Sequence, residues 1–225
     1  MWKRNRKGSI SYGIVGLGRF GEALVQELAK SGAELLVMDR DESRVREMRE
    51  LTENALVVGN LDKKTLTETG IQNCDVAVVC IGEHMEASIL TTLNLVSLGV
   101  PTVISKATSP EHGEILRRLG AEVVYPERDM AVRLANRLAN SKVLDFIQLS
   151  EKINITKLLV PECLVGKMVL DVDLRARFNL NIIAIENCGV VMEHVDPSYS
   201  FREHDILIVS GSKEGINRFA DWAEQ

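Results

Sequence analysis

The sequence predicts an α/β protein with a doubly wound parallel sheet, followed by a small second α+β module. Three observations predict this fold. Short apolar runs alternate with segments of helical spacing as far as about residue 140. A glycine-rich turn joins the first apolar run to the first helical segment. Beyond about residue 142 the alternation gives way to closely spaced strands and turns.

The first strand is predicted at residues 12–15, and it leads into the GxGxxG pattern of residues 16–21. Each glycine of the pattern has a physical task. Gly16 allows the tight turn, Gly18 lets the backbone approach a pyrophosphate, and Gly21 lets the helix lie close to the strand. The free N–H groups at the start of this helix attract phosphate oxygens, so the turn predicts a nucleotide site. A tight turn that binds no ligand is the alternative.

A carboxylate closes the second predicted strand. The first helix ends at residues 31–32, the apolar run of residues 35–38 follows, and Asp39 comes next. Asp39 lies about twenty residues beyond the glycines, where a carboxylate accepts hydrogen bonds from the ribose hydroxyls. It would also repel a 2′-phosphate, so we expect NAD, ATP or ADP rather than NADP.

The alternation of helices and strands then continues. In chain order we predict a helix capped by Asp41, a strand at residues 55–58, a helix from Asp62 to residue 69, a strand at 76–81, a helix at 85–98, a strand at 103–106, a helix at 110–120, a strand at 121–125 and a helix at 127–139. Six strands alternating with helices predict a Rossmann-like sheet, in which ligands collect at the carboxyl ends of the strands. The residues expected there are Gly16, Leu17, Gly18, Arg19, Phe20, Asp39, Arg40, Asn60, Leu61, Ile81, Gly82, Glu83, Lys106 and Glu127.

The remaining residues predict a second, smaller module. Residues 141–152 resemble a connector, and they are followed by a strand at 154–160, a helix within 166–178, strands at 180–186, 190–192 and 205–210, and a terminal helix at 213–223. We therefore predict a nucleotide-binding domain at residues 1–140, a connector at 141–153 and a second domain at 154–225. The second domain is too short to be the substrate domain of most dehydrogenases.

Composition excludes several classes of function. The net charge of −5 argues against a general nucleic-acid binder. Residues 2–7 form a small basic tip that we interpret as a frayed terminus, the alternative being contact with an acidic surface or lipid headgroups. No apolar run is long enough for a spanning helix and no signal peptide is recognisable, so we expect a cytoplasmic protein. The four cysteines and four histidines are scattered and form no metal-binding pattern, so we expect neither a zinc site nor a catalytic cysteine.

The predicted site holds cations but no catalytic constellation. Arg19 follows the GxG turn directly and Lys106 ends another strand, so the two together would neutralise a di- or triphosphate. The alternative is that both are solvated surface charges. An enzyme of this architecture would also need an acid or base over the nicotinamide, and the sequence supplies none that we can identify. An NAD-dependent oxidoreductase with a reduced catalytic domain remains the alternative function.

Nearly the whole sequence resembles the TrkA/KtrA family of potassium-uptake regulatory subunits, which are built from an RCK N-terminal domain and an RCK C-terminal (TrkA-C) domain. The segments that carry the resemblance are GIVGLGRFG, the strand end at Asp39, VVGN, VAVVCIGEHMEAS, ISKA followed by His112, YPERDMA, LDVDLRARFNLNIIAI and DILIVSGS. The sequence departs from the family after Asn60, where alanine and threonine are more usual than Leu61 and Asp62.

The resemblance implies a cytosolic gating-ring subunit that binds ATP, ADP or NAD(H), forms homodimers that assemble into an octameric ring, and docks on an integral-membrane potassium-translocating subunit. Nucleic acid is not an expected partner. By the same resemblance, Arg19 would contact phosphates, Asp39 the ribose, and Asn60 with residues 81–83 the adenosine. Lys106 and His112 would also lie in the nucleotide pocket. Glu127 would help to hold a divalent cation near the γ-phosphate, the alternative being a carboxylate favoured by the helix dipole.

Some members of the family bind cyclic di-AMP between two copies of the second domain. The residues that match this second site are Asp173, Arg175, Asn181, Ile182 and Pro197. Amide and carboxylate groups with an arginine would read an adenine edge and a phosphate. The alternative is that these residues only cap a helix and begin a strand.

Overall fold

The computed structural model describes residues 10–139, 143–149 and 153–223. The basic tip at residues 2–7 and parts of the expected connector, residues 141–142 and 150–152, lie outside these ranges. The chain divides into two compact units between Glu127 and Arg128. The domain boundaries near residues 140 and 154 stay a prediction.

The first unit is built on six parallel strands. Their bounds are Ser11–Val15 (β1), Glu34–Asp39 (β2), Asn54–Val57 (β3), Val76–Val79 (β4), Thr102–Lys106 (β5) and Glu122–Val124 (β6). Their order in the sheet is β3-β2-β1-β4-β5-β6, and each neighbouring pair is parallel. The order reverses between β1 and β4, so the carboxyl end of β1 lies at the topological switch point. This confirms the predicted doubly wound, Rossmann-like sheet.

Helices follow the strands of this sheet. They are Arg19–Lys30 (α1), Glu42–Met48 (α2), Lys63–Thr69 (α3), Met85–Ser97 (α4), Pro110–Arg118 (α5) and Pro126–Ala139 (α6), the last of which crosses the division between the units. Asp41 and Asp62 cap α2 and α3, because each side chain accepts a backbone N–H of the first turn. Gly70 ends α3 in the left-handed conformation, which glycine adopts without strain.

Apolar side chains are buried on both faces of the sheet. Leu36, Met38, Val79 and Leu95 belong to one cluster, while Ile14, Val37 and Val45 belong to another. The central strands β1, β2 and β4 read as nearly continuous apolar runs because helices cover both of their faces. The sheet is therefore a rigid support for the loops that leave its carboxyl edge.

The second unit holds a five-stranded antiparallel sheet. Its strands are Val143–Gln148 (β7), Asn154–Leu159 (β8), Asn181–Asn187 (β9), Val190–Met192 (β10) and Ile206–Gly211 (β11), in the order β10-β9-β11-β8-β7. Its helices are Val169–Val172 (α7), Leu174–Phe178 (α8) and Lys213–Ala223 (α9). The core of this unit contains Phe178, Phe201 and Phe219, all buried. The unit is the small α+β module that the sequence predicts.

Two details differ from the sequence interpretation. Residues 143–148, expected to lie in a connector, form β7, which pairs with β8 at the edge of the sheet. The single helix expected within residues 166–178 is two short helices, because Asp173 adopts a left-handed conformation with φ of 43° between them. Asp173 then caps α8 by accepting the N–H of Ala176 at 3.1 Å.

Candidate nucleotide site

The glycine-rich turn occupies the exit of β1. Gly16 has φ of +97° and donates its N–H to the Met38 carbonyl at 2.8 Å, which ties the turn to the end of β2. A Cβ added to Gly21 would clash with the Gly16 carbonyl oxygen and would lie 3.2 Å from the Cβ of Cys80. Turn geometry requires glycine at position 16, and helix packing requires it at position 21.

No contact among the described residues explains why position 18 is a glycine. Its φ of −70° and ψ of −179° suit any residue, and it precedes α1 at the N-cap position without a side-chain cap. The nearest atom to a Cβ placed there is Arg44 Nη1, at 3.9 Å. The backbone at Gly18 therefore faces open space at the start of α1, where amide groups without partners within the helix attract anions.

Asp39 connects the turn to the next loop. Its Oδ2 accepts the Leu17 N–H at 2.5 Å, and its Oδ1 accepts the Asp41 N–H at 2.9 Å. Each carboxylate oxygen has a second lone pair, so these bonds leave capacity for ribose hydroxyls. The two backbone bonds also fix the direction of the carboxylate beside the turn.

The cationic side of the site is built around Lys106. Its Nζ lies 2.5 Å from Glu127 Oε1 and 5.9 Å from the centre of the Phe20 ring. The Lys106 side chain is 11% exposed, whereas Glu127 is 67% exposed. The hydrogen bond from Lys106 holds the pKa of Glu127 below its usual value, and the positive charge of Arg19 contributes to the same shift. Two cations from separate parts of the sequence, Arg19 and Lys106, thus both act on the Glu127 carboxylate.

The Glu127 carboxylate fits the predicted role in holding a divalent cation. Within the described residues no group of three or more His, Cys, Asp or Glu side chains is arranged to hold a metal ion. A cation at Glu127 would need further oxygen ligands, and Mg²⁺ is usually held by one or two carboxylates together with substrate phosphates and water. If a nucleotide binds here, its phosphates and water would supply those oxygens.

The loops after β3 and β4 carry further residues of the predicted site. Asn60 and Asp62 bond to each other, with Asn60 Nδ2 donating to Asp62 at 2.7 Å, and the Leu61 carbonyl accepts Asn94 Nδ2 at 3.0 Å. After β4, Ile81 packs against the turn, because a Cβ added to Gly16 would lie 3.3 Å from the Ile81 side chain. Gly82 lies beside Lys106, whose Nζ would be 3.4 Å from an added Cβ.

Two further residues extend this description. Arg40, directly after β2, places Nη2 3.3 Å from His84 Nε2 at the start of α4. The sequence analysis did not select His84, because its partner Arg40 lies 44 positions away in the sequence. Glu83 is exposed in the same loop.

His112 is buried rather than open to solvent. Its Nδ1 lies 3.4 Å from the Thr108 backbone N and 3.3 Å from Thr108 Oγ1, while its Nε2 is buried and has no hydrogen-bond partner among the residues that the structure describes. Burial lowers the pKa of this imidazole. A direct contact between His112 and a nucleotide stays a prediction, and it would require the surrounding side chains to move.

In the second unit, the residues predicted to bind cyclic di-AMP lie around α7, α8 and the start of β9. Asp173 is used as the cap of α8, Arg175 is exposed on that helix, and Asn181 and Ile182 begin β9. The Pro197 carbonyl accepts the Leu170 N–H at 2.9 Å, which ties it to α7. Their role as a second site stays a prediction.

Two of the four cysteines are buried in the first unit. Cys74 and Cys80 are buried, and burial raises the pKa of each thiol to about 12. A thiol with so high a pKa is a poor nucleophile. Cys163 and Cys188 are exposed. Among the described helices, none combines the length and the apolar character needed to span a bilayer.

Comparison with known proteins identifies both units. The model of the TrkA-N domain matches residues 12–126, and that of the TrkA-C domain matches residues 158–223. The Ktr system potassium uptake protein C of Bacillus subtilis (strain 168) is 38% identical over 92% of this chain and 95% of its own length. The Ktr system potassium uptake protein A of the same organism is 34% identical over 92% of this chain and 94% of its own.

Solved structures support the fold. The GsuK channel is 20% identical with a TM-score of 0.66, covering 96% of this chain and 40% of its own. The GsuK channel bound to NAD is 20% identical with a TM-score of 0.62, covering 95% of this chain and 39% of its own. This chain spans less than half of either channel chain, and at this identity the likeness shows the fold alone. The family models and the Ktr relatives establish that the chain belongs to the TrkA/KtrA family of potassium-uptake regulatory subunits, with a TrkA-N domain followed by a TrkA-C domain.

Proposed function

We propose that this protein is a non-enzymatic regulatory subunit that binds ATP, ADP or NAD(H) at the exit of β1 and controls a membrane potassium-translocating subunit. One observation carries the nucleotide assignment. Gly18 is a glycine that no neighbour among the described residues requires, and it presents open backbone at the start of α1, directly after Leu17, whose N–H binds Asp39, and directly before Arg19.

Each of these groups would bind a different part of the nucleotide. The Asp39 carboxylate accepts the ribose hydroxyls, the backbone around Gly18 meets the phosphates, and Arg19 and Lys106 neutralise their charge. A γ-phosphate would compete with Glu127 for Lys106 and would leave that carboxylate available to a divalent cation. A triphosphate and a diphosphate would therefore leave Lys106 and Glu127 in different arrangements.

Regulation would follow from differential affinity. A ligand shifts a conformational equilibrium only if it binds the two states unequally. We propose that the protein forms homodimers and an octameric ring, that ATP and ADP favour different ring geometries, and that the ring acts at the cytoplasmic face of the membrane. Support for the partner comes from the potassium uptake relatives. Cyclic di-AMP, bound by Asp173, Arg175, Asn181, Ile182 and Pro197, would act as a second signal.

The first experiment identifies the bound nucleotide. The purified protein is denatured, and mass spectrometry of the supernatant should detect ATP, ADP or NAD(H). Calorimetric titration and solution scattering with ATP and with ADP should then give different affinities and different ring dimensions. Equal affinities with unchanged scattering would contradict the regulatory proposal. Steady oxidation of NADH with a panel of keto acids would favour the alternative oxidoreductase.

A further inference from the structure

A glycine inside α5 marks the place where Tyr125 lies against that helix. Gly113 is buried within Pro110–Arg118, in a helix interior where glycine is less favourable than alanine. A Cβ added there would overlap the Tyr125 hydroxyl and would lie 2.6 Å from Cζ of the same ring. The three atoms nearest to that Cβ all belong to Tyr125. The close approach of this ring therefore explains why the helix carries glycine at position 113.

Arg117 holds the same ring from one helical turn further along α5. Residues four apart lie on one face of a helix, so Arg117 is next to Gly113. Its Nη2 donates to the Tyr125 hydroxyl oxygen at 2.9 Å, and its guanidinium carbon lies 5.9 Å from the ring centre. Both Arg117 and Arg118 also bond to Glu114, through Nη1 at 3.4 Å and through Nε at 2.9 Å. The two arginines thus share a partner on their own helix, and Arg117 contacts Tyr125 in addition.

Tyr125 lies at the junction between β6 and α6. It follows Val124, whose carbonyl accepts the Ala107 N–H at 2.9 Å, and it directly precedes the first residue of α6. Glu127 is the second residue of that helix, and it bonds to Lys106 at the end of β5. The junction is therefore held in two ways, through the backbone of Val124 and through the Tyr125 side chain on α5.

We propose that Tyr125 is a positioning residue that fixes the start of α6 and thereby holds Glu127 against Lys106. This inference rests on the proposed function, in which a γ-phosphate competes with Glu127 for Lys106. The Glu127 side chain is largely exposed, so its position depends on the backbone that carries it. An ion pair loses more entropy on forming when one partner is carried by a mobile segment, and it is then weaker.

The contact between Tyr125 and α5 thus sets how strongly Glu127 competes with a phosphate. In the proposed site a γ-phosphate takes the place of Glu127 on Lys106, whereas a diphosphate does not require that exchange. When Glu127 pairs less strongly, the exchange costs less free energy, and ATP gains affinity while ADP does not. An exposed ion pair contributes little, which limits the expected gain to about two- to fivefold.

The test is calorimetric titration of the full chain with ATP and with ADP, in EDTA so that divalent cations take no part. Tyr125→Ala should raise the ratio of ATP affinity to ADP affinity by about two- to fivefold. Hydrogen exchange measured by mass spectrometry should become faster in the first turn of α6 and remain parental in β1. Arg117→Met, a substitution of an exposed side chain, should raise the ratio in the same direction, and Arg118→Met is its matched control and should leave the ratio unchanged.

A double substitution tests whether the effect comes from this contact. Gly113→Ala should displace the Tyr125 ring, because the overlapping atoms are the far end of a side chain. Its effect on the ratio should resemble that of Tyr125→Ala, and the double variant should equal Tyr125→Ala, since both changes remove one contact. Effects that add in the double variant would contradict the proposal.

Other results would also overturn the positioning role. A parental ratio in Tyr125→Ala and Arg117→Met, with adenine nucleotides still bound, would refute it and leave the proposed function intact. Equal changes for ATP and ADP would show a distortion of the whole site instead of a change in competition. An Arg118→Met variant that shifts the ratio as much as Arg117→Met would assign the effect to the charge of α5. A parent protein that binds neither nucleotide would refute the proposed function, and this inference with it.

Discussion

Gly18→Ala should separate ligand binding from folding. The backbone at this position has φ of −70°, and the nearest atom to an added Cβ is 3.9 Å away, so the folded protein accepts alanine without a clash. Reduced freedom of the unfolded chain favours alanine by about 0.4–1 kcal/mol. Alanine is a poorer N-cap than glycine by a similar amount. The free energy of unfolding should therefore change by less than about 1 kcal/mol.

The same methyl group should obstruct a phosphate. It would project into the space above the first turn of α1, where, in the proposed site, phosphate oxygens would approach the backbone N–H groups. Loss of one hydrogen bond to a charged group costs about 1.5–3 kcal/mol, which corresponds to a tenfold or greater loss of affinity. Calorimetric titration with ATP should detect this loss, and urea denaturation followed by circular dichroism should show a stable fold.

Gly21→Ala is the matched control. Its Cβ would lie 3.1 Å from the Gly16 carbonyl carbon and closer still to the carbonyl oxygen, and these are backbone atoms of a constrained turn. Overpacking of this kind costs about 1–3 kcal/mol, and the higher helix propensity of alanine offsets about 0.5–1 kcal/mol of it. This variant should therefore be less stable than the parent. A stable Gly18→Ala protein with parental ATP affinity would refute the phosphate role, and a Gly21→Ala protein as stable as the parent would refute the packing argument.

Three further predictions concern single side chains. Because burial lowers the pKa of His112, the unfolded chain binds a proton below pH of about 6.5 that the folded protein resists, so stability should fall as the pH drops through that value. Urea denaturation at several pH values should show that the free energy of unfolding of His112→Gln depends less on pH than that of the parent. An equal dependence on pH in the two proteins would contradict the role given to His112. Lys106→Met should lower the free energy of unfolding by less than about 1 kcal/mol, because Glu127 is largely exposed. An NMR titration of this variant should show a raised pKa of Glu127, and the affinity for ATP should fall more than the affinity for ADP. Tyr199→Phe removes the hydroxyl that donates to buried Asp205 at 2.9 Å, and should lower the free energy of unfolding by about 1.5–3 kcal/mol, whereas Ser198→Ala at the exposed neighbouring turn should cost less.

Local signals in the sequence were sufficient for most of the first unit. The aspartates that cap α2 and α3 and the glycine that ends α3 act within one turn of their own helix. The bounds of α9, Lys213–Ala223, also agree with the sequence prediction. The glycine turn and Asp39 could be placed together because parallel strands bring their carboxyl ends to one edge. Each of these features depends on neighbours in sequence or on a regular βα repeat.

Other features depend on partners far along the chain. The β7 strand pairs with β8 at a sheet edge, and strand formation depends on such neighbours more than on the residues of the segment itself. The left-handed Asp173 divides one predicted helix into two, and this conformation is uncommon for residues other than glycine, asparagine and aspartate. His84 meets Arg40 across 44 positions of sequence, so nothing close to either residue indicates the contact.

Asp205 shows how such a distant arrangement bears on the predicted second site. A charged residue before a strand suggests a solvated position, yet Asp205 is fully buried. It accepts hydrogen bonds from Asn187 Nδ2 at 2.6 Å, from the Tyr199 hydroxyl and from the Arg202 N–H at 2.8 Å. A buried carboxylate is tolerated only when such donors compensate its lost hydration.

These bonds hold the segment that carries Pro197. Tyr199 accepts the Val169 N–H through its carbonyl at 2.9 Å, two residues from the point where Pro197 accepts the Leu170 N–H. The Asp205 carboxylate thus links β11, through the Tyr199 ring, to the start of α7 and to Pro197. If cyclic di-AMP binds here, its Pro197 contact is positioned by a carboxylate that does not touch the ligand. Loss of the Tyr199 hydroxyl should then weaken cyclic di-AMP binding together with stability, whereas Arg175→Ala on the exposed face of α8 should abolish that binding while leaving stability and ATP affinity unchanged.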